Sequence, residues 1–146
     1  MKLLAVLLVL GAVSCSSTAV KNTAHPDAQR RLEAVVKQHP DIVRLTIHAV
    51  PRGETKSRIV ATNVAAKLGA WSDPEDLQAM ATQKPVIVEE GENLDYTAPV
   101  VDWQGQSVAA VGVTVKGTNK TDMLTSAIMI ADQMAASILQ AETPLW

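Results

Sequence analysis

The sequence predicts an α+β domain in which five short strands lie between two longer helices. Three patterns lead to this fold class. Apolar and polar residues alternate over 42–49, which is the period of a strand with one buried face. Two apolar runs flank the turn "DWQGQ" over 94–116, which predicts a hairpin. An apolar stripe at helical spacing runs through 121–140 and predicts an amphipathic helix.

The first half of the chain supplies a helix, two strands and a short helix. The first helix begins at Pro26 and ends at "HPD", residues 39–41. The strand 42–49 is followed by the turn "PRGET" and by "SRIVATN", which predicts an antiparallel partner. The short helix begins in "SDPED", where Ser72 or Asp73 can cap and a proline fits the first turn. We expect its apolar side to consist of Leu77, Met80 and Ala81.

The second half supplies three strands and the long final helix. "PVIVEE" is the third strand, and residues 94–102 and 107–116 form the hairpin. Thr121 is the expected cap of the final helix. Its predicted stripe consists of Leu124, Ala127, Ile128, Ala131, Met134, Ala135 and Ile138.

The segment 108–115 is apolar or small on both of its sides, which is unusual for a strand that faces water. Such a strand is most simply a central strand covered twice. We expect one cover to be the helix pair and the other to be the short helix with its loops. A space between the sheet and those loops is where a small ligand would bind.

The whole-chain composition limits the possible classes of protein. A length of 146 residues fits one domain. With 47% hydrophobic and 19% charged residues, bulk disorder is excluded. A net charge of −2 without a basic block argues against nucleic-acid binding.

The N-terminus has the layout of a secretory signal peptide: one lysine, an apolar run over 3–10 that is too short to cross a bilayer, then small residues. Cys15, the only cysteine, follows at once and resembles the lipidated cysteine of bacterial lipoproteins. The alternative is ordinary cleavage near 14–17. We therefore expect a signal peptide at 1–14, a flexible tether at 15–24 and a domain at 25–142, exported to the bacterial periplasm or cell envelope and lipid-anchored at Cys15.

The stretch "YTAPVVDWQGQSVAAVGVTV", together with the first helix and paired strands, resembles extracytoplasmic PAS-like sensor domains of the single Cache type. The matching features are Pro99, Asp102, Gly105 and the run 108–115, and the resemblance covers about residues 25–140. It implies a five-stranded antiparallel sheet with the fifth strand central, and a small-molecule pocket beyond the second strand. Ala109 stands where the family often has glycine. The Arg-Trp-Tyr type of signature of amino-acid-binding members is absent, so no ligand class is implied.

Four residues are candidate ligand contacts: His48, Trp71, Tyr96 and Asp102. His48 lies in a strand and can bind a carboxylate, a haem or a metal, although its alternation with polar neighbours favours a half-exposed polar strand face. The two aromatic residues suit a pocket wall or the core equally well. Asp102 either orients a ligand or caps the glycine turn that follows it.

The segment "EEGENLD" groups Glu89, Glu90, Glu92 and Asp95, which are residue types that bind Ca²⁺. The spacing of a calcium loop is missing, so a solvated turn is preferred and no metal site is predicted. The sequence contains no Gly-x-Ser-x-Gly, His-Glu-x-x-His or cysteine pair, so no enzyme is predicted.

These observations predict an exported, lipid-anchored sensor-like domain that binds a small molecule without catalysis and without a cofactor. The first alternative is a cell-envelope interaction module with a filled interior, which docks a membrane-bound partner. The second is a haem or metal carrier that uses His48. Membrane contact is expected only through the N-terminal lipid, and homodimerisation through the final helix is a further hypothesis.

Overall fold

The computed structural model describes residues 24–142 and 145–146. The predicted signal peptide, Cys15 and nearly all of the predicted tether lie outside the described residues. The elements are α1 (Pro26–Val36), β1 (Ile42–Ala49), β2 (Arg58–Thr62), α2 (Pro74–Thr82), β3 (Val86–Glu90), β4 (Asn93–Val101), β5 (Ser107–Lys116) and α3 (Lys120–Leu139). A short 3₁₀ turn, Ala65–Lys67, precedes α2. The predicted order of elements is confirmed.

The five strands form one antiparallel sheet in the order β2-β1-β5-β4-β3. The fifth strand is therefore central, as the resemblance implied. Both α3 and α2 contact β5, so neither of its sides is open to water. The prediction of an α+β fold with a five-stranded antiparallel sheet is confirmed.

One face of the sheet carries the hydrophobic core and is covered by α1 and α3. Fully buried side chains from the central strands meet fully buried side chains of the two helices, among them Leu32, Leu45, Ile47, Val111, Val113, Ile130 and Met134. Each such side chain contributes roughly 1.5–3 kcal/mol by leaving water. Leu145 is also buried in this core.

The final helix differs from the prediction in its N-terminal cap and in which residues form its buried stripe. Asn119 caps it by accepting the backbone N–H of Thr121 at 2.9 Å, so Thr121 is not the cap. Its buried stripe is Met123, Ala127, Ile130, Ala131, Met134 and Ile138. Ile128, which was expected in the stripe, is 37% exposed. The stripe packs within the chain, so it is not the free surface on which the dimer hypothesis depended.

The other face of the sheet is polar and is covered by α2, which contacts β3, β4 and β5. The expected apolar side of α2 is wrong: its buried residues are Asp76 and Ala79, while Leu77 is 47% exposed. The reason is the polar surface beneath the helix. The Asp76 carboxylate accepts hydrogen bonds there, whereas a leucine side chain would leave those donors without an acceptor. Among the residues that the structure describes, no helix has the length and apolar character needed to span a membrane.

Candidate functional site: a polar cavity under α2

A cavity of about 200 Å³ lies between the polar face of the sheet and the start of α2. Its walls come from all five strands, from α2 and from the segment between β2 and α2. The lining residues are Arg44, Thr46, His48, Ile59, Lys67, Asp73, Glu75, Asp76, Val88, Asp95, Thr97 and Gly112. The expectation of a pocket between the sheet and the region after the second strand agrees with this position.

Strand register brings the polar side chains together around Gly112 of β5. Thr46 of β1 and Thr97 of β4 both pair with Gly112, from opposite sides. A Cβ atom at position 112 would lie 2.6 Å from the Thr46 Oγ1 atom, a separation that side chains do not tolerate. Glycine is therefore needed to let the Thr46 side chain lie over the central strand.

His48 is only 4% exposed and has a partner at each ring nitrogen. Its Nε2 atom lies 2.9 Å from the Thr46 Oγ1 atom, and its Nδ1 atom lies 3.1 Å from both the Asp76 Oδ2 and the Ser72 Oγ atoms. Burial, aided by the nearby charge of Arg44, lowers the pKa of His48 from 6.5 to about 4. The imidazole is therefore neutral at neutral pH.

Asp76 is 6% exposed and occupies the first turn of α2. Its Oδ2 atom accepts the backbone N–H of Asp73 at 2.8 Å, and its Oδ1 atom accepts only a long contact of 3.4 Å from the Thr97 hydroxyl. Burial raises the pKa of Asp76 from 3.8 to about 6, the hydrogen bond from Asp73 opposes that rise, and the charges of Asp73 and Asp95 add to it.

At neutral pH the contact between the two side chains is thus a hydrogen bond from a neutral imidazole to a carboxylate, not an ion pair. His48 does not neutralise the charge of Asp76. A buried carboxylate without a counter-charge is energetically costly, and that cost is the main electrostatic feature of the cavity.

The remaining charges of the lining leave the cavity acidic. Arg44 donates to the Asp95 Oδ2 atom at 2.8 Å, and the Thr114 hydroxyl donates to Asp95 Oδ1 at 3.0 Å. The opposite charges of Arg44 and Asp95 therefore neutralise each other. The other charged lining residues are Lys67, Asp73, Glu75 and Asp76. One base against three acids gives the lining a negative excess.

Of the four candidate ligand contacts, only His48 lines this cavity. Trp71 is 60% exposed and lines a separate, mainly apolar groove on the outer side of α2. Tyr96 is 8% exposed and belongs to the core under the helices, because it alternates along β4 with Asp95 and Thr97, which face the cavity. Asp102 accepts the backbone N–H groups of residues 104 and 106 at 2.9 and 2.8 Å, and so caps the hairpin turn.

Sequence reasoning missed most of the cavity, although a signal for it existed. Polar side chains alternate along β1 at 44, 46 and 48 and along β4 at 95 and 97, and both strands pair with β5. Only the β1 alternation enters the sequence analysis, where it favours a half-exposed face. The missed lining residues include Arg44, Thr46, Asp76, Asp95, Thr97 and Gly112.

The geometry does not favour a metal or haem at His48, because protein atoms occupy both ring nitrogens. Within residues 24–142 and 145–146, no three or more His, Cys, Asp or Glu side chains are grouped as a metal site. In the predicted acidic turn, Glu89 instead pairs with Lys120 at 2.6 Å. The cavity is also below the roughly 300–1,000 Å³ of sites for larger ligands.

The side chains around His48 are arranged differently from those of a catalytic relay. Ser72 and Asp76 contact the same ring nitrogen, whereas a catalytic relay places its hydroxyl and its carboxylate on opposite nitrogens. Thr46 does lie on the opposite nitrogen, but this residue is 3% exposed, and its one hydroxyl proton lies between the His48 Nε2 atom at 2.9 Å and the Gly112 carbonyl at 3.3 Å. The Thr46 oxygen is thus engaged inside the sheet rather than presented to the cavity.

No model of a known protein family matches this chain, and no curated protein matches it. Solved structures do. A GAF domain from A. aeolicus in an inactive state matches with a TM-score of 0.57 and 9% identity, over 79% of this chain and 91% of that one. The five-stranded antiparallel sheet with its flanking helices is thus similar in fold to a GAF domain. The Cache type stays a prediction.

Two other matches have the same fold and different roles. The type II free methionine-R-sulfoxide reductase of Thermoplasma acidophilum matches with a TM-score of 0.52 and 14% identity, over 78% of this chain and 91% of that one. The inducer-binding domain of the PobR transcription factor from Acinetobacter, in complex with 3-hydroxybenzoic acid, matches with a TM-score of 0.54 and 12% identity, over 76% and 94%. At these identities the likeness concerns the fold alone.

Proposed function

We propose that this domain is a non-catalytic sensor-like module that binds a small organic cation in the cavity under α2. The observation that carries the proposal is the buried carboxylate of Asp76, whose partner His48 is neutral at neutral pH. A cation bound beside Asp76 would supply the counter-charge that the protein lacks. At about 4 Å, and at the effective dielectric constant of a protein surface, such a pair gains on the order of 4 kcal/mol before desolvation costs.

The size and the other walls of the cavity support a small ligand with one charged group. A volume of about 200 Å³ suits a small amine or quaternary ammonium compound. Ile59 and Val88 supply apolar walls, and the hydroxyl group of Thr97 supplies a hydrogen-bonding partner. An anion would face the acidic excess, since Arg44 is already paired with Asp95.

The PobR inducer-binding domain shows that a protein of this fold accommodates a small organic molecule. That ligand is an aromatic acid. The acidic lining in the present protein favours a cationic ligand. The proposal therefore takes from PobR only that this fold can bind a small molecule, and not which molecule is bound.

The test is a thermal-shift and calorimetric comparison of ligands matched in shape but not in charge, using the full chain. Choline is compared with its neutral isostere 3,3-dimethylbutan-1-ol, and putrescine and acetate are added. A bound ligand at a hundred times its dissociation constant adds about 2.7 kcal/mol to stability, which is a visible shift. We expect shifts with the cations and none with the isostere or with acetate.

Asp76→Asn should abolish the shift, because the amide keeps the shape of the side chain and removes its charge. Asp132→Asn is the matched control, since Asp132 is exposed on α3, on the other side of the sheet. Shifts with acetate, or equal shifts with choline and its isostere, would contradict the cation proposal. A flat result with every ligand would favour the alternative of an interaction module.

We also propose that the protein is exported and anchored through a lipid on Cys15, as the order of charged, apolar and small residues before that cysteine indicates. Cells that express the full chain are fed an alkyne-labelled fatty acid. The protein should carry the label and fractionate with membranes, and Cys15→Ser should carry none. Label-free protein in the cytosol would contradict the proposal.

A further inference from the structure

Two of the three tryptophans lie exposed at one end of the molecule. Trp103 is 91% exposed at the β4–β5 turn, and Trp71 is 60% exposed before α2. Trp71 shares a groove with Val50, Leu77 and Met80. The Gln83 Nε2 atom donates to the Gly105 carbonyl at 2.8 Å and so joins the end of α2 to the turn that carries Trp103. We call Val50, Trp71, Leu77, Met80 and Trp103 the tryptophan surface.

Exposed tryptophan side chains in such a cluster are typical of surfaces that bind lipid or protein, because the indole ring combines a large apolar area with one N–H donor. In membranes, tryptophan is enriched at the level of the lipid headgroups for the same reason. The fold does not use these two rings: within the described residues they contribute nothing to the buried core.

The charges beside the tryptophan surface favour an anionic partner. Arg52 and Lys56 lie in the β1–β2 turn and Lys84 follows α2, and all three are exposed. Among the acids nearby, Glu54 pairs with Arg58, Asp73 and Glu75 line the cavity, and Asp102 keeps its negative charge while it accepts two turn amides. The three basic residues thus outnumber Asp102 at this end, although the whole chain has a net charge of −2. Basic residues near a membrane are attracted to its anionic lipids.

The position at which the chain enters the domain brings Cys15 within reach of the same end. The backbone N–H of His25 donates to the carbonyl of Val60 at 3.1 Å, and Val60 lies two residues from Arg58, the bridge partner of Trp71. Cys15 precedes His25 by ten residues, which reach about 35 Å at most. A lipid on Cys15 would therefore keep the domain within that distance of a bilayer, which allows the tryptophan surface to reach it.

We propose that the tryptophan surface rests on a membrane containing anionic phospholipid, with Trp71 and Trp103 inserted at the headgroup level. This extends the sequence-based expectation, in which the N-terminal lipid was the only membrane contact. It rests in part on the proposed anchoring and is independent of the proposed ligand.

The test uses the full chain in phosphatidylcholine vesicles with added phosphatidylglycerol, in which some acyl chains are brominated. Bromine quenches only tryptophan that enters the lipid. We expect vesicle-bound protein to lose fluorescence in brominated vesicles. The double variant Trp71→Tyr with Trp103→Tyr should lose none, because its remaining tryptophan, Trp146, packs against the core.

Charge is tested by Lys56→Gln, with Lys120→Gln as the control because Lys120 pairs with Glu89 at the far end of β3. The Lys56 variant should lower the ratio of docked to undocked protein roughly fivefold, and added salt should do the same. The Lys120 variant should leave that ratio unchanged.

Three outcomes would overturn the proposal, and they are distinguishable. Protein that floats with vesicles but is not quenched is anchored without lying on this surface, which leaves the anchoring intact. Protein that does not float overturns the anchoring as well. A vesicle-free dimer that the double tryptophan variant abolishes would assign the surface to a second copy of the chain instead.

Discussion

The contact between His48 and Asp76 makes a specific prediction for stability against pH. Burial moves the two pKa values in opposite directions, that of Asp76 from 3.8 to about 6 and that of His48 from 6.5 to about 4. Each shift exceeds two pH units, and one unit corresponds to 1.36 kcal/mol, so each is worth about 3 kcal/mol.

The signs of the two contributions are opposite. Asp76 binds a proton more readily in the folded protein, so acidification from about pH 6 to pH 4 raises the free energy of unfolding. His48 binds a proton more readily in the unfolded chain, so acidification from about pH 6.5 to pH 4 lowers that free energy. Because the two windows overlap, the contributions nearly cancel in the natural protein.

Single substitutions should reveal the cancellation. Asp76→Asn removes the gain on acidification, so its free energy of unfolding relative to the natural protein should fall by up to about 3 kcal/mol between pH 7 and pH 4. His48→Gln removes the loss, so its relative free energy of unfolding should rise by a similar amount.

The assay is urea unfolding of the natural protein and the two variants at several pH values, followed by circular dichroism. Only differences between proteins are compared, so every other titrating group drops out. The refuting result is a change in relative free energy of unfolding, between pH 7 and pH 4, that has the same sign for both variants or is below about 1 kcal/mol. It would show that burial does not separate the two pKa values as described.

Two further predictions concern the faces of the sheet. Ile130→Ala should lower the free energy of unfolding by roughly 2–5 kcal/mol, because this side chain is fully buried. Met129→Ala is the control and should change that free energy little, because Met129 is 56% exposed. Equal effects in urea unfolding would contradict the assigned core. Gly112→Ala should lower the free energy of unfolding by roughly 1–3 kcal/mol, since its methyl group would lie 2.6 Å from the Thr46 Oγ1 atom. It should also weaken ligand binding. An unchanged free energy of unfolding would refute the close approach.

Much of the fold could be predicted from the sequence, because strand and helix periods are local properties. The alternation over β1 and the two-sided apolar character of β5 were sufficient to place β5 at the centre of the sheet. The positions of caps and helix faces were harder to predict. Asn119 rather than Thr121 caps α3, and both residue types suit that role.

The site was less predictable for a physical reason. A polar face on a strand has the same pattern whether water or a second polar layer covers it, and only the tertiary structure decides which. Asp76 lies on a short helix whose apolar residues pointed to the opposite orientation. No local pattern reports that a carboxylate on α2 will meet His48 and Thr97, which lie on two different strands.

The measurement that tests the central claim most directly is the affinity of a cation for the full chain as a function of pH. The cation with the largest thermal shift is titrated by calorimetry between about pH 5 and pH 7. If the cation binds beside Asp76, a proton competes with it, and affinity should rise up to tenfold per pH unit below the Asp76 pKa of about 6 and level off above it. Affinity that is independent of pH, or that persists unchanged in Asp76→Asn, would contradict the proposed site.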